Sequence, residues 1–495
     1  MDRRDVVLAV ALAVAAWLVW DWLLPPSDGD GGFPGVGLTA AFLLLVAVAV
    51  AYVWSRGGRP HVAGVVGLGL LVAGVLPFAL FAPVPGFLPL FAVDVAGLVV
   101  WPAVALRHTV ARRPDADLVV DGLNQGLGVP LRHAGSWWSA LGRLVGRRRT
   151  ARRVGAGVLG LLIGLPLIAV VASLLAQADD RFDGWVGALA RALEDWDLGR
   201  FLPQIILSIL LAAYAFAILF ANARRSQRGR VDAAQVESFR ARCRRLPVAA
   251  LATPLAVLAA LYAVFFAALG SYLTSGLAGR LPDGWTHAEY ARQGFFELAG
   301  VAAINLAVCA AVRTFAARPE GRYPTVLRAL GATLAGLTVL LVVTALSKLL
   351  LYIGAYGLTQ LRLNVFACLV VWLVVFTALT VWHIRPFRLS ALLVPFGLAA
   401  VLALAWADTD GIVARWNTDH YLSGDLDRID VPYLANLSEA AVPALVDLRD
   451  NASAASVRAA AAEALSDWRG ASDDTPARWT TWNWQTARAQ DLTGD

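Results

Sequence analysis

Charge is scarce in this chain. Of its 495 residues only 16% are Asp, Glu, Lys or Arg, against 58% hydrophobic, whereas soluble domains average about 25% and 45–50%. That deficit excludes a soluble enzyme, a disordered chain and a nucleic-acid-binding domain. Cysteine is scarce too: Cys243, Cys309 and Cys368 lie far apart, with no CxxC spacing and no basis for a disulfide framework. The six His show no metal-ligand spacing, and HExxH, a Walker A lysine motif and GxSxG are all absent. Glycine-rich stretches fall inside apolar runs, where Gly64, Gly67 and Gly69 read as helix-packing residues. No metal and no cofactor is expected. A single lysine, Lys348, stands beside 41 arginines, a bias that fits a GC-rich bacterial genome and carries no chemistry of its own.

What the chain has instead is apolar runs of bilayer length. Eleven can be drawn, at 6–24, 35–54, 62–81, 88–106, 154–176, 201–220, 249–269, 295–315, 329–351, 363–382 and 389–407. They predict an all-α, polytopic transmembrane helical bundle of about 11 spans over residues 1–407, followed by a separate tail over 408–495. Arg3 and Arg4 precede the first run as in a signal peptide, but the run ends at Leu24-Pro25-Pro26 without a small-x-small cleavage site, so a retained helix is expected.

Orientation follows from arginine. The segments at alternate ends of the spans hold 28 basic residues on one side, including ten Arg between 107 and 153 and eight between 224 and 245. The opposite loops hold seven, and are acidic at Asp28, Asp30, Asp179, Asp180, Asp183, Glu194, Asp195 and Asp197. The positive-inside rule puts the N-terminus in the cytoplasm and the C-terminus outside a bacterial cytoplasmic membrane. Two loops carry amphipathic helices. In the inner one Trp137, Trp138, Leu141, Leu144 and Val145 share a face flanked by Arg132, Arg143 and Arg147–Arg149, which suits the headgroup layer of a leaflet rich in anionic lipids. In the outer one Trp185, Val186, Leu189, Leu193 and Trp196 form a similar stripe.

The tail, 408–495, has 15 acids and seven Arg. Asp430-Val431-Pro432 predicts a short helix, with Pro443 in the first turn of its continuation. Leu434, Leu437, Ala441, Leu445 and Leu448 form its stripe. Ser453 is expected to cap a second helix ending at Gly470, with Val457, Ala461, Leu465 and Trp468 inward. A third segment around Trp479, Trp482 and Trp484 is expected to fold back on these, and His420 to be a surface or hairpin residue of the tail.

Ionisable groups inside a bilayer are costly and each is a default functional hypothesis. Asp94, Glu297, Lys348 and Arg362 all fall toward the outer ends of their spans. They form a neutral set that either opens a polar cavity for a headgroup or a proton, or pairs internally to fix helix packing. The acidic turn Asp28-Gly-Asp30 invites comparison with the metal-holding pairs of membrane transferases, although it also suits an ordinary hydrophilic loop.

The stretch Trp285-Thr-His-Ala-Glu289-Tyr290-Ala-Arg292-Gln-Gly-Phe-Phe-Glu297-Leu298 resembles the "T-x-A-E-Y-A-R-x-G-F-x-E-L" signature of the bacterial domain-of-unknown-function family 4173, which is related to family 4153. Tyr352-Ile-Gly-Ala-Tyr356-Gly357-Leu358-Thr359-Gln360-Leu-Arg362 resembles its "Y-x-x-A-Y-G-L-T-x-x-R". Ala414-Arg415-Trp416-Asn417, Asp430–Leu434 and Ala441–Leu445 resemble its region after the last span. His420 and Lys348 stand where the family pattern has Arg, and both retain a potential positive charge. The resemblance implies no activity. It marks the outer ends of the eighth to tenth spans as the working region, whether that region binds a ligand or holds the tail. The candidate set is Asp94, Glu289, Tyr290, Arg292, Glu297, Lys348, Tyr352, Tyr356 and Arg362. The expected role is a non-enzymatic, transporter-like or envelope-associated membrane component, with anionic lipids and an envelope protein as partners. The alternatives are a transferase acting on a lipid-linked substrate, and a scaffold or sensor joining the tail to the inner loops.

Overall fold

The computed structural model describes residues 2–23, 35–56, 62–81, 87–105, 122–144, 198–224, 238, 241–242, 244–277, 295–317, 323–474 and 479–493; for 21–22, 87–90, 134, 144, 198–203, 269–277, 295–299 and 471–474 it describes the backbone alone. Among these residues the protein is helical, apart from turns and one isolated bridge between Leu246 and Ala316. Two compact units form: Met1–Val231 with Ala471–Arg488, and Asp232–Gly470 with Ala489–Asp495. This grouping is one of packing, whereas the 407/408 boundary is one of composition.

The first unit contains α1 (Arg3–Leu18), which continues as a π turn (Val19–Leu23), then α2 (Gly35–Ser55), α3 (Val62–Val75), α4 (Pro77–Leu80) and α5 (Phe87–Ala105). A π turn at Asn124–Gly128 leads into α6 (Val129–Leu144), and α7 (Leu198–Ala223) completes the set. Pro77 separates α3 from α4 because a proline cannot continue the ladder but is tolerated in a first turn. Leu8, Leu12, Tyr52, Trp101, Trp137, Ala140 and Phe216 form the core. The aromatic face of α6 therefore turns into protein: Trp137 is buried, and its indole N–H donates to the Ala9 carbonyl at 3.1 Å.

The second unit contains α8 (Val248–Leu277), α9 (Phe295–Phe315), α10 (Thr325–Tyr356), α11 (Gln360–Ile384) and α12 (Leu389–Trp406). Its tail is built from α13 (Thr409–Leu422), α14 (Val431–Ala435), α15 (Val442–Asn451) and α16 (Ala455–Asp474); α17 (Trp484–Thr493) straddles the division. The tail has its own core of Val431, Leu434, Leu445, Leu448, Ala461 and Leu465, to which Ala489 of α17 adds. Two tail expectations are corrected. α16 starts at Ala455, past the cap expected of Ser453, and runs through Gly470 to Asp474. Glycine ends a helix where the chain turns left-handed, and Gly470 does not; inside a helix it costs only about 1 kcal/mol. α13 was not anticipated, because its polar sequence has no apolar stripe, and what starts it is the Asp408 carboxylate accepting from Gly411 N at 3.1 Å.

Among the described residues seven helical segments are long and apolar enough to cross a membrane: Gly35–Ser55, Val62–Leu80, Gln204–Ala223, Val248–Ala268, Thr325–Tyr356, Gln360–Ile384 and Leu389–Trp406. Phe91–Ala105 and Gly300–Phe315 are apolar but shorter. Large side chains such as Val257, Leu261 and Val264 point outward along α8, the arrangement expected where lipid is the solvent. The apolar run 154–176 and the outer amphipathic stripe Trp185–Trp196 lie outside the described residues.

With no hydrophobic drive between helices in lipid, polar contacts carry part of the association. In the second unit the Asn305 amide nitrogen on α9 lies 2.8 Å from both the Tyr262 hydroxyl on α8 and the Thr338 hydroxyl on α10. Replacing Asn305 by Leu should lower stability by about 1 kcal/mol, the scale of such bonds in bilayers, measured by detergent-titrated unfolding. An unchanged midpoint would remove the ladder from the account of packing.

Candidate functional site

α10 is 32 residues long, about 48 Å at 1.5 Å per residue against a hydrocarbon layer of about 30 Å. Its far end is closed by Gly357 at φ +78, a left-handed position that favours glycine. Arg362, in the first turn of α11, folds back over that end. Its guanidinium donates to the Tyr356 carbonyl at 2.9 Å and also to the Gly357 carbonyl, and it stands 4.1 Å from the Tyr352 ring centre. A cation on the last carbonyls of a helix meets its negative dipole end. Tyr352 and Tyr356 lie with ring centres 5.2 Å apart, and Thr359 caps α11 by accepting from Arg362 N at 3.3 Å. Lys348 is buried one turn before Tyr352.

The structure thus gathers Tyr352, Tyr356 and Arg362, with Lys348 on the same helix. Asp94 belongs to the first unit. Glu289, Tyr290 and Arg292, like Asp28, Asp30, Asp179 and Asp180, lie outside the described residues, and of Glu297 only the backbone is described.

The same turn holds the tail. The buried Asn417 carboxamide on α13 accepts from Leu358 N at 2.8 Å and donates to Leu358 O at 2.7 Å and Val413 O at 2.8 Å. A Cβ on Gly357 would strike that carboxamide oxygen, so the glycine is needed for approach as well as for its φ. Gln360 N donates to the Tyr433 hydroxyl at 3.0 Å, while Asp410 accepts from Ser438 N at 3.1 Å and from the Gln360 side chain. Burial pushes the Tyr433 hydroxyl above the ordinary phenol range, so it remains an uncharged partner. His420, expected as a surface or hairpin residue of the tail, is half-buried on α13 and stacks on Trp416 with ring centres 3.8 Å apart. Sequence reasoning did not single out Asp410 or Asn417: a short polar residue after the last span looks like any other until its backbone partner is known.

Two features of the first unit bear on function. Asp94 on α5 is 7% exposed and its carboxyl packs against Gly74 of α3; among the described residues it makes no hydrogen bond or ion pair. The second feature is an ionic knot absent from the sequence expectations. Asp5 is fully buried, yet it accepts from Tyr52 Oη at 3.0 Å, from Asp2 N at 2.7 Å, from Arg224 at 2.6 Å and from Arg56. Arg56 also grips Asp2, at 2.5 and 2.8 Å. The only sequence signal was an acid placed directly after Arg3 and Arg4, at the start of an apolar run.

The Arg56 hydrogen bond holds the Asp2 carboxyl down to about 2. A depressed carboxylate stabilises the fold above its unfolded value of about 4 and loses that contribution as pH falls through about 2. An acid titration should therefore show a stability loss between these values that Asp2→Asn abolishes. Asp5→Ala, which takes the buried carboxylate from Arg224 and leaves Arg56 with Asp2 alone, should cost about 3 kcal/mol, and Asp2→Ala, on the exposed side, less than about 1. Equal losses from the two in thermal unfolding would contradict the burial argument.

Compared with known families, the chain matches the domain of unknown function DUF4153 over residues 42–448, and it belongs to that family. The match runs from α2 through α15 and so takes in the turn at Gly357 and the helices docked on it. No curated protein and no solved structure matches the chain.

Proposed function

We propose that this member of the DUF4153 family is a non-enzymatic component of a bacterial cytoplasmic membrane, transporter-like or envelope-associated, acting at the outer ends of its eighth to tenth spans. The observation that carries this reading is the docking of the tail on the α10–α11 turn beside Lys348, Tyr352, Tyr356 and Arg362. The chemistry of a catalytic centre is not needed to explain those residues: they close a helix and seat the tail, and they do so where an outer partner or solute would arrive. The motifs at 285–298 and 352–362 further align the chain with family 4173. For the transporter-like form the supporting observation is Asp94, an acid buried among apolar helices.

The orientation we propose is N-terminus inside, tail outside, with eleven spans. The Asp5 knot supports it, since it draws together the start of α1, the end of α2 and the end of α7, three ends that the arginine count assigns to one side. If α7 ends on the side where α2 ends, an odd number of crossings separates Ser55 from Leu198. Val62–Leu80 and α5 account for two, leaving one for the apolar run 154–176. Anionic lipids at the inner arginines, and an envelope protein at the tail, are the partners this orientation offers.

Reporter fusions test the orientation. Alkaline phosphatase joined after Asp495 should be active, and a fluorescent protein inserted after Arg228 should be bright; the reverse pattern overturns it. For the site, Arg362→Ala and Glu297→Gln, expressed in a strain lacking its own copy, should fail to restore the wild-type envelope permeability to ethidium while accumulating normally. If both instead lower the amount of folded protein equally, the cluster is packing and the functional reading falls.

A further inference from the structure

The segment before α17 inverts the usual rule for a soluble tail. Thr480, Asn483 and Gln485 are buried, while Trp479, Trp482 and Trp484 are 51%, 49% and 44% exposed. Tryptophan carries the largest apolar surface of any side chain, so a chain in water alone would place these three the other way round. The segment is not loosely placed. The Thr480 carbonyl accepts from Gly37 N at 2.9 Å and the Trp482 carbonyl from Val36 N at 3.3 Å. These are first-turn amides of α2, which have no partner within their own helix. Glycine is required on the α2 side: a Cβ at Gly35 would come within 2.6 Å of Phe78 O and 3.2 Å of Trp482 O, and one at Gly37 would strike Leu23 O and approach Thr480 Cβ to 3.1 Å. On the other side Asn483 fixes the turn into α17 by accepting from Thr486 N at 2.8 Å.

We propose that residues 479–484 are an interfacial anchor, with Trp479, Trp482 and Trp484 seated in the headgroup layer of the leaflet at the start of α2. The two backbone bonds set the depth, because they tie the segment to the end of a helix long and apolar enough to span. At that depth an indole keeps its ring in the acyl boundary and its N–H among headgroups, which is why tryptophan concentrates there. Arg488, with its guanidinium 5.3 Å from the Trp484 ring, adds a cation that suits lipid phosphate. A lipid surface fits better than a protein partner, since the three rings alternate with buried polar residues along one short strip instead of forming a pocketed patch. The inference rests on reading α2 as a membrane span.

The test places single cysteines at 479, 482 or 484 in a full-length chain whose Cys243, Cys309 and Cys368 are serine. Each is labelled with an environment-sensitive fluorophore and reconstituted in phosphatidylcholine–phosphatidylglycerol vesicles. Leu210→Cys, exposed in the middle of α7, reports the membrane interior, and Ser423→Cys, exposed in the tail, reports water. The anchor predicts quenching of the 482 and 484 labels by lipid spin-labelled near the headgroup, and an iodide quenching constant about half that at 423 or less. Iodide access equal to that at 423, with 210 still quenched by lipid, overturns the anchor and leaves the membrane reading intact. Shielding from iodide and lipid together overturns it in favour of burial in protein. If 210 also escapes the lipid quencher, the membrane reading itself fails.

Discussion

The carboxylate of Asp5 is the interaction on which the first unit depends. It sits without solvent contact at the start of α1, and it is tolerable only because Tyr52, Arg56, Arg224 and the Asp2 amide surround it. In a bilayer the apolar faces of helices have no preference for one another over lipid tails, so hydrophobic burial cannot choose which helices become neighbours. A charge can. Its partners come from, or border, three helix ends, and losing both guanidinium groups would leave an uncompensated ion in a place of low dielectric. The knot therefore selects a register as well as an arrangement: α2 and α7 must end at the level where α1 begins.

At the turn after α10 the same economy of polar groups takes another form. Arg362 closes the helix whose end Gly357 shapes, and Asn417 completes the backbone of Leu358. Both tasks fall on residues within the matched region, in one stretch around the start of α11 and another in α13. The tail is thus joined to the bundle through main-chain bonds, not merely through a tether, and Leu349, Ile353, Leu358 and Val413 share one apolar cluster beneath them. A movement of α10 relative to α11 would have to carry α13 with it or break the paired Asn417 bonds.

Runs of apolar residues made the helices legible, since 3.6-residue periodicity is unnecessary where every face meets lipid or another helix. The closure at Arg362 was legible as a charge at a span end. Asp5, Asn417 and Asp410 were not. Their partners stand 51 and 219, 59, and 50 and 28 residues away, and nothing local in a polar residue at a helix end distinguishes a solvated one from a buried one. α13 failed for a related reason: its hydrophobic contrast is weak and its start is a single capping carboxylate. The Trp137 face erred in the opposite direction, since the pattern that suits a headgroup layer also suits a helical core, and the Ala9 carbonyl decided between them.

The candidate cluster divides along these same lines. Asp94 and Lys348 look alike in sequence, each a lone charge near one end of an apolar run. Packing assigns them to different units, and their settings differ in kind. Lys348 rides on the helix whose far end is closed by Arg362, among residues engaged in holding the tail. Asp94 faces a glycine, the one residue that brings no side chain of its own to meet a carboxyl. A group kept at high solvation cost with no polar partner among the described residues is poorly accounted for by packing, whereas the residues around Lys348 have a structural task, the seating of the tail, that does not compete with a role at the same place. The residues at 352–362 thus explain how the second unit closes on its tail, and the acid of α5 is the group that such closure does not explain.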